Sequence, residues 1–306
     1  MATILIGACS WTDHTPFYPS SYDTARMRSQ RISYYAQYFH LVEVDSTFYA
    51  LQPDRNFRLW AERTPEHFTF NVKAYGELTW HHRDEQKRAI TPSAETFERF
   101  SAMIQPLREA GKLGAAHFQF PPWFTYGDEN RSYLATLREF LPTDRLAVEF
   151  RHRSWLEADH RDATFGALRE SGLSYVMVDE PQIGSGSVPP IVAVTDPRLA
   201  IVRFHGRNRK SWYIRDAASS ADRFDYLYSK QELAEWTPRV DQIAEQAAEI
   251  HLLTNNNRSN YALVNAFELA ELLQVPLPLP PPPSLMETME LRERGQIGGP
   301  APAGSS

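Results

Sequence analysis

The residues best suited to chemistry lie in short runs where ionisable and apolar side chains alternate. Glu43 and Asp45 interleave with Val42 and Val44, Asn71 and Lys73 with Phe70 and Val72, and Glu149 and Arg151 with Val148 and Phe150. Arg203 and His205 alternate with Val202 and Phe204, Asp179 keeps step with Met177, and Asn255 keeps step with Leu253. Successive side chains of a strand point to opposite faces. Each run therefore predicts a strand with one greasy face and one polar face.

Collected on one side, these groups could do several kinds of chemistry. Acid–base catalysis needs two titratable groups whose surroundings separate their pKa values. Glu149 and Asp179, at the ends of adjacent predicted strands, are the candidate pair. His205 is the candidate proton shuttle or fixed hydrogen-bond donor. The plainer alternative is that each carboxylate pairs with Arg151, Arg203 or Lys73 in a structural plug. Lys73, Arg151 and Arg203, with Arg207 beyond them, could instead clamp a phosphate or carboxylate, because guanidinium forks match those oxyanions. A buried lysine can also form a Schiff base. With so many acids near Lys73, the expectation is an ammonium held in a salt bridge or on a substrate anion.

A divalent cation held by Glu43, Asp45, Glu149, Asp179 and His205 is a further alternative. Its carboxylate-rich ligand set would favour magnesium or manganese over zinc. No metal is assigned, and no cofactor is expected. His81 and His82 sit beside Arg83 and Asp84 and are read as a solvated loop. Cys9 has no histidine nearby in sequence and reads as a small buried thiol. There is no GxSxG elbow, GxxxxGK[ST] loop or GxGxxG turn, and Gly184-Ser185-Gly186 is too short to cradle a nucleotide.

The elements that must position these residues follow from pattern and punctuation. Strands are predicted over 3–7, 41–46, 68–73, 115–120, 146–150, 174–179, 200–205 and 250–254. Helices are predicted over 28–39, 54–63, 93–111, 133–140, 159–172, 231–249 and 261–273. Gly111 and Gly172 fall where a helix end favours a left-handed residue. Strands alternating with helices imply parallel βαβ units, and eight of them imply an α/β fold of the closed (β/α)8 TIM type. A doubly wound open sheet is the alternative. In a closed barrel the greasy face meets the helices and the polar face fills the interior. The joint between strands 6 and 7 is irregular: it reads Pro, Gly and Ser, with a possible extra strand over 191–195. Residues 1–275 are read as a single domain. From Pro276 onward the prolines cannot continue a helix or a central strand, so 276–306 is read as a flexible Pro-rich tail with a short helical piece over 286–294.

The totals narrow the function classes. A chain of 306 residues with net charge −6 offers no general attraction to nucleic acid or an anionic membrane. One cysteine precludes an internal disulfide, the first residues lack a signal-peptide pattern, and no run could span a bilayer. These features predict a cytoplasmic protein. Arg203–Tyr213 interleaves Arg207, Arg209 and Lys210 with Trp212, a pattern that a nucleic acid or protein partner could use. The acidic total argues against the nucleic-acid version.

The polar runs belong to longer stretches that resemble the DUF72 (YecE-like) family. They are Ile6-Gly7-Ala8-Cys9-Ser10-Trp11, Phe17-Tyr18-Pro19, Val42 to Tyr49, Phe70 to Ala74, Phe118-Gln119-Phe120-Pro121-Pro122 and Ala147 to His152 with Ser154-Trp155. The second half adds Val202 to Arg207, Tyr226 to Ser229, Asn255-Asn256 and Asn265-Ala266. The resemblance covers residues 4–273 in order. It implies a TIM barrel and no established activity. Trp11, Gln119, Asn255 and Asn256 lie in these stretches and join Asp45, Lys73, Arg151 and Arg203 as substrate-binding candidates. Two departures stand out. Asn257 occupies the place of a family histidine after Asn-Asn, and Trp80 separates Leu78-Thr79 from His81. Three functions follow as expectations: an acid–base enzyme for a small polar, anionic substrate; a metal-dependent phosphoesterase or isomerase; and a non-catalytic binding protein.

Overall fold

The computed structural model describes residues 2–86, 90–210, 212 and 224–297. Eight parallel strands close into one barrel in sequence order. They are β1 (Thr3–Cys9), β2 (Leu41–Val44), β3 (Thr69–Lys73), β4 (Leu113–Gln119), β5 (Leu146–Glu149), β6 (Leu173–Asp179), β7 (Ala200–Phe204) and β8 (Glu249–Thr254). Each overlaps a predicted strand.

Helices cover the outside: α1 (Ala25–Arg28), α2 (Arg31–Tyr35), α3 (Asp54–Glu62), α4 (Ala94–Glu109), α5 (Asp128–Phe140) and α6 (Ala158–Glu170). The second half adds α7 (Lys230–Ala234), α8 (Thr237–Ala244), α9 (Tyr261–Leu272) and α10 (Pro283–Glu293). The Ser93 side chain accepts the Thr96 amide at 3.1 Å to start α4. Gly111 and Gly172 stop α4 and α6 at φ +67° and +60°, as their positions predict. The helix expected over 231–249 is two helices. Pro238 lies in the first turn of α8, where its missing N–H is harmless, and a continuous helix would have needed that donor.

Between β6 and β7 there is no helix among the described residues, so the irregular joint stands. Residues 191–195 do not form the extra strand. Instead the Thr195 hydroxyl accepts the Tyr175 amide at 2.7 Å and donates to the Leu173 carbonyl at 2.6 Å, holding the connection against β6.

The short helical piece expected over 286–294 is present in the described part of the tail. Residues 283–293 form α10, which docks on the barrel's helical shell. Leu285 is fully buried, Asn260 Nδ2 donates to Thr288 Oγ1 at 2.9 Å, and Arg292 pairs with Glu268 and donates to the Tyr228 carbonyl at 3.1 Å. Proline content made this segment look free, but the buried Leu285 and the ion pair tie it down. Residues 298–306 lie outside the described residues.

Packing follows the expected sidedness: Val42, Val44, Phe70, Val72, Val148, Val202 and Phe204 are all buried in one continuous apolar cluster. No helix among the described residues is long and apolar enough to cross a membrane.

Candidate active site at the C-terminal rim

The interior is organised around Arg203. Its Nη1 donates to Glu149 Oε2 on β5 at 2.7 Å, and its Nη2 donates to Glu43 Oε1 on β2 at 2.6 Å and to Cys9 Sγ on β1 at 3.3 Å. His117 on β4 completes the layer, with Nδ1 2.9 Å from Glu43 Oε2 and Nε2 3.3 Å from Glu149 Oε2. Five strands thus converge on one hydrogen-bonded knot. Burial works to raise the two carboxyls, but Arg203 and His117 around Glu43, and Arg151, Arg203 and His205 around Glu149, hold both below the usual carboxylate range.

A second layer lies nearer the rim. Arg151 places Nε 2.7 Å from Glu149 Oε1, donates from Nη1 to Glu180 Oε2 at 2.8 Å, and sets Nη2 3.0 Å from His205 Nε2. Glu180 Oε1 accepts the Val188 amide at 2.7 Å, and burial raises this carboxyl to about 7. His205 Nδ1 lies 2.8 Å from Asn255 Nδ2. Burial, reinforced by the Arg151 charge, lowers this imidazole to about 3. His205 is therefore neutral with both ring nitrogens engaged. Asn257 Nδ2 donates to the Cys9 carbonyl at 2.9 Å and reaches Asn255 Oδ1 at 3.3 Å, so the departure from histidine here leaves a hydrogen-bonded support for Asn255.

The outermost layer is different in kind. The Lys73 ammonium, at the end of β3, sits 4.6 Å over the Phe48 ring, and no carboxylate of the described residues comes within 4.0 Å of it. Burial and the Arg203 charge lower its pKa, against the pull of Glu43, Glu149 and Asp45. Asp45, just past β2, is raised to about 7 by burial and by Asp13. His81 is lowered to about 3 by burial and by the charges of Lys73 and Arg151. Its Nδ1 lies 2.8 Å from Thr79 Oγ1 and its ring meets Phe48 edge-on at 4.7 Å. Trp80 makes this placement possible by taking a left-handed backbone at φ 62°, rare for a bulky residue. The expected solvated loop therefore delivers a neutral histidine to the mouth.

Several predicted site residues lie elsewhere. Asp179 faces the helices, not the interior. It accepts from Arg207 Nε at 2.8 Å, Tyr228 Oη at 2.9 Å and Trp236 Nε1 at 2.7 Å. The reason is register: Val178 pairs with Arg203 and Asp179 with Phe204, so the interior parity of β6 carries Val176 and Val178. Glu149 and Asp179 therefore do not share a pocket, and Arg207 is occupied by Asp179 and Glu235. Asn256 turns outward, with Nδ2 donating to the Tyr226 carbonyl and to Asn265 Oδ1, each at 2.8 Å. Trp11 is buried edge-on against Trp60 at 5.0 Å. Gln119 is half-buried, level with Glu149 at the end of β4. In the basic–aromatic stretch, the Trp212 ring lies 5.6 Å from the Arg151 guanidinium, while Tyr213 falls outside the described residues.

Three contributors escaped the sequence reading: His117, Glu180 and His81. His117 was findable, since it shares the parity of Ala115 and Gln119 on a strand already predicted. Glu180 required the correct parity of β6. His81 had no signal, because only the turn at Trp80 brings it in. Glu43 and Glu149 present all their oxygens to arginine or histidine, and no group of three or more His, Cys, Asp or Glu among the described residues is arranged to hold a metal ion.

Fold and site together define a (β/α)8 barrel whose interior is ion-paired and whose C-terminal rim carries the Lys73 ammonium. The family pattern described as "Protein of unknown function DUF72" matches residues 5–286, and the chain belongs to the DUF72 family. It is 36% identical over 274 residues to UPF0759 protein YunF of Bacillus subtilis (strain 168), an alignment covering 89% of this chain and 95% of that protein. A crystal structure of a DUF72 family protein from Enterococcus faecalis V583 superposes with TM-score 0.80 at 30% identity, covering 91% of this chain and 98% of that one. A DUF72 family protein from Thermotoga maritima MSB8 gives TM-score 0.74 at 32% identity, covering 89% and 99%.

Proposed function

We propose that this barrel is an enzyme that binds a small anionic substrate at the C-terminal rim, with Lys73 as the principal anion contact, and works on it by acid–base chemistry. The observation that carries this reading is the contrast between layers. Both acids of the inner knot, Glu43 and Glu149, are ion-paired with Arg203, whereas the Lys73 ammonium above them has an aromatic ring and, among the described residues, no carboxylate within 4.0 Å. An unpaired, half-buried cation is costly, and a phosphate or carboxylate would relieve that cost.

Within this reading the roles differ from a simple acid–base pair of Glu149 and Asp179. Glu149 stays ionised and fixes Arg151 and Arg203. Asp45, raised to about 7, is the group suited to exchanging a proton near neutrality. Neutral His81 supplies a hydrogen-bonding imidazole beside Lys73, and His205 with Asn255 holds Arg151 in place. The net charge of −6 and the pairing of Arg207 with Asp179 support a small molecule over a nucleic acid, and the lone buried Cys9 suits the cytoplasm.

A thermal-shift screen of phosphorylated and carboxylated metabolites tests the proposal, comparing wild type with Lys73→Gln and with the surface control Lys230→Gln. Stabilising hits that vanish in Lys73→Gln and persist in Lys230→Gln are expected. Hits equally strong in all three proteins would show that the anion binds elsewhere.

A further inference from the structure

Lys73 is one of only five lysines among 32 basic residues in this chain. Among the described residues Lys73 and Lys112 are the lysines withdrawn from the surface, and they are used in opposite ways. Lys112 is fully committed, its Nζ donating to the Ala61 carbonyl at 2.6 Å, the Thr64 carbonyl at 2.8 Å and Thr64 Oγ1 at 3.1 Å. Among the described residues Lys73 Nζ meets the face of Phe48 and no hydrogen-bond acceptor, and its side chain remains partly accessible at the barrel mouth. At this position an arginine would serve anion binding better, with five donors in a planar fork, and arginine already fills the neighbouring anchors Arg151 and Arg203. What lysine offers and arginine cannot is a nucleophilic amine.

We infer that Lys73 is a covalent catalytic residue, and that the substrate is a small carbonyl compound bearing a carboxylate or phosphate, captured as an imine on Lys73 Nζ. This deepens the proposed function and rests on the same rim pocket. Three independent features favour amine addition. Among the described residues no carboxylate lies within 4.0 Å of the nitrogen, burial and the Arg203 charge disfavour its protonated form against the pull of Glu43, Glu149 and Asp45, and Asp45 is near enough for its charge to be felt there. In the forward step the neutral amine adds to the carbonyl carbon, and the carbonyl π pair moves to oxygen. Proton transfer from nitrogen to that oxygen gives a carbinolamine. The Asp45 carboxyl then protonates the hydroxyl, the C–O bond breaks with loss of water, and the nitrogen lone pair forms the C=N bond. The products are a protonated imine, water and the Asp45 carboxylate. No oxidant, reductant or metal is needed. The positive imine retains the charge that the anionic arm of the substrate faces, and it provides an electron sink for cleaving or deprotonating at the adjacent carbon.

The test uses the full chain at neutral pH with pyruvate, glyoxylate and dihydroxyacetone phosphate, each followed by sodium borohydride, which converts an imine to a stable secondary amine. Intact-mass and peptide mass spectrometry then locate the adduct. The expected result is a single reduced adduct on the Lys73 peptide with at least one probe, exceeding labelling of exposed Lys210 by roughly tenfold or more. Lys73→Arg, which keeps the charge, should abolish it while circular dichroism stays unchanged. In parallel, calorimetry with unreactive lactate and inorganic phosphate reports the pocket alone. Anion binding that requires Lys73, with no borohydride-trapped adduct from any probe, would overturn the imine and leave the anion pocket standing. No anion binding and no adduct would overturn both. Adducts spread over the lysines in proportion to exposure would also contradict the imine.

Discussion

Arg203 Nη2 lies 2.6 Å from Glu43 Oε1, so a guanidinium on β7 is bonded to a carboxylate on β2 through the barrel interior. Neither strand is a neighbour of the other in the sheet. The contact therefore fixes the barrel's cross-section, and with it the platform beneath Lys73.

Removing that guanidinium should be severe. Arg203→Met leaves Glu43 and Glu149 without their shared cation in the interior, and breaking a buried pair from one side costs about 3–5 kcal/mol. Urea denaturation should show a loss of that order. A much smaller loss would mean that the knot contributes little to stability.

Asp179→Ala should act on stability and spare the rim. Three donors, from Arg207, Tyr228 and Trp236, would lose a common acceptor in a buried place, and each unsatisfied group costs about 1–3 kcal/mol. Midpoint denaturant concentration should fall while anion affinity at Lys73 is kept. Loss of affinity with an unchanged midpoint would return Asp179 to the site.

Stability should decline as pH falls below about 6.5. His81 and His205 are held near 3 in the fold, and His14, His40 and His251 are lowered too. A free histidine titrates near 6.5, so below that pH the unfolded chain takes up protons that the folded one refuses. Asp45 and Glu180, both raised to about 7, work in the opposite direction, since the fold keeps their protons until higher pH. His81 and His205, near 3, lie further from their free values than Asp45 and Glu180 do, and the three other lowered histidines act on the same side. Below about 4 the depressed Glu43 and Glu149 add a further loss, because the unfolded carboxyls then protonate first. Unfolding free energies measured from pH 6.5 to 4 should fall; a flat or rising profile over that range would contradict these assignments.

Much of this was legible in the chain because a strand exposes its pattern. Glu43, Lys73, Glu149, Arg151, Arg203, His205 and Asn255 were separated from their apolar neighbours by alternation alone, and the structure brings all of them to the interior or its mouth. The rule failed at β6, where both faces are buried and apolar residues occupy both parities, so Met177 and Val178 give no contrast. Register against Arg203 decides that strand, and register is a long-range property that alternation does not encode. His81 and the docked α10 depended on a left-handed turn at Trp80 and on tertiary contacts from Leu285 and Arg292, which override local composition.

Anion binding at the rim should weaken as pH rises through about 7. Asp45 then becomes a carboxylate beside Lys73, with Glu43 and Asp13 already adding negative potential. Phosphate titrations at a fixed phosphate charge state, or with a sulfonate whose charge is constant, should show this dependence, and Asp45→Asn should flatten it. An unchanged pH profile in Asp45→Asn would separate Asp45 from the pocket.

The most direct measurement is NMR titration of lysine side-chain carbons in uniformly labelled protein, with the Lys73 signal assigned by its absence from Lys73→Arg. The account predicts that this amine titrates below the ordinary lysine value of about 10.4 and moves upward when phosphate is bound. A Lys73 signal titrating at or above that value in the free protein, unmoved by phosphate, would mean that the ammonium is already paired and the rim holds no anion.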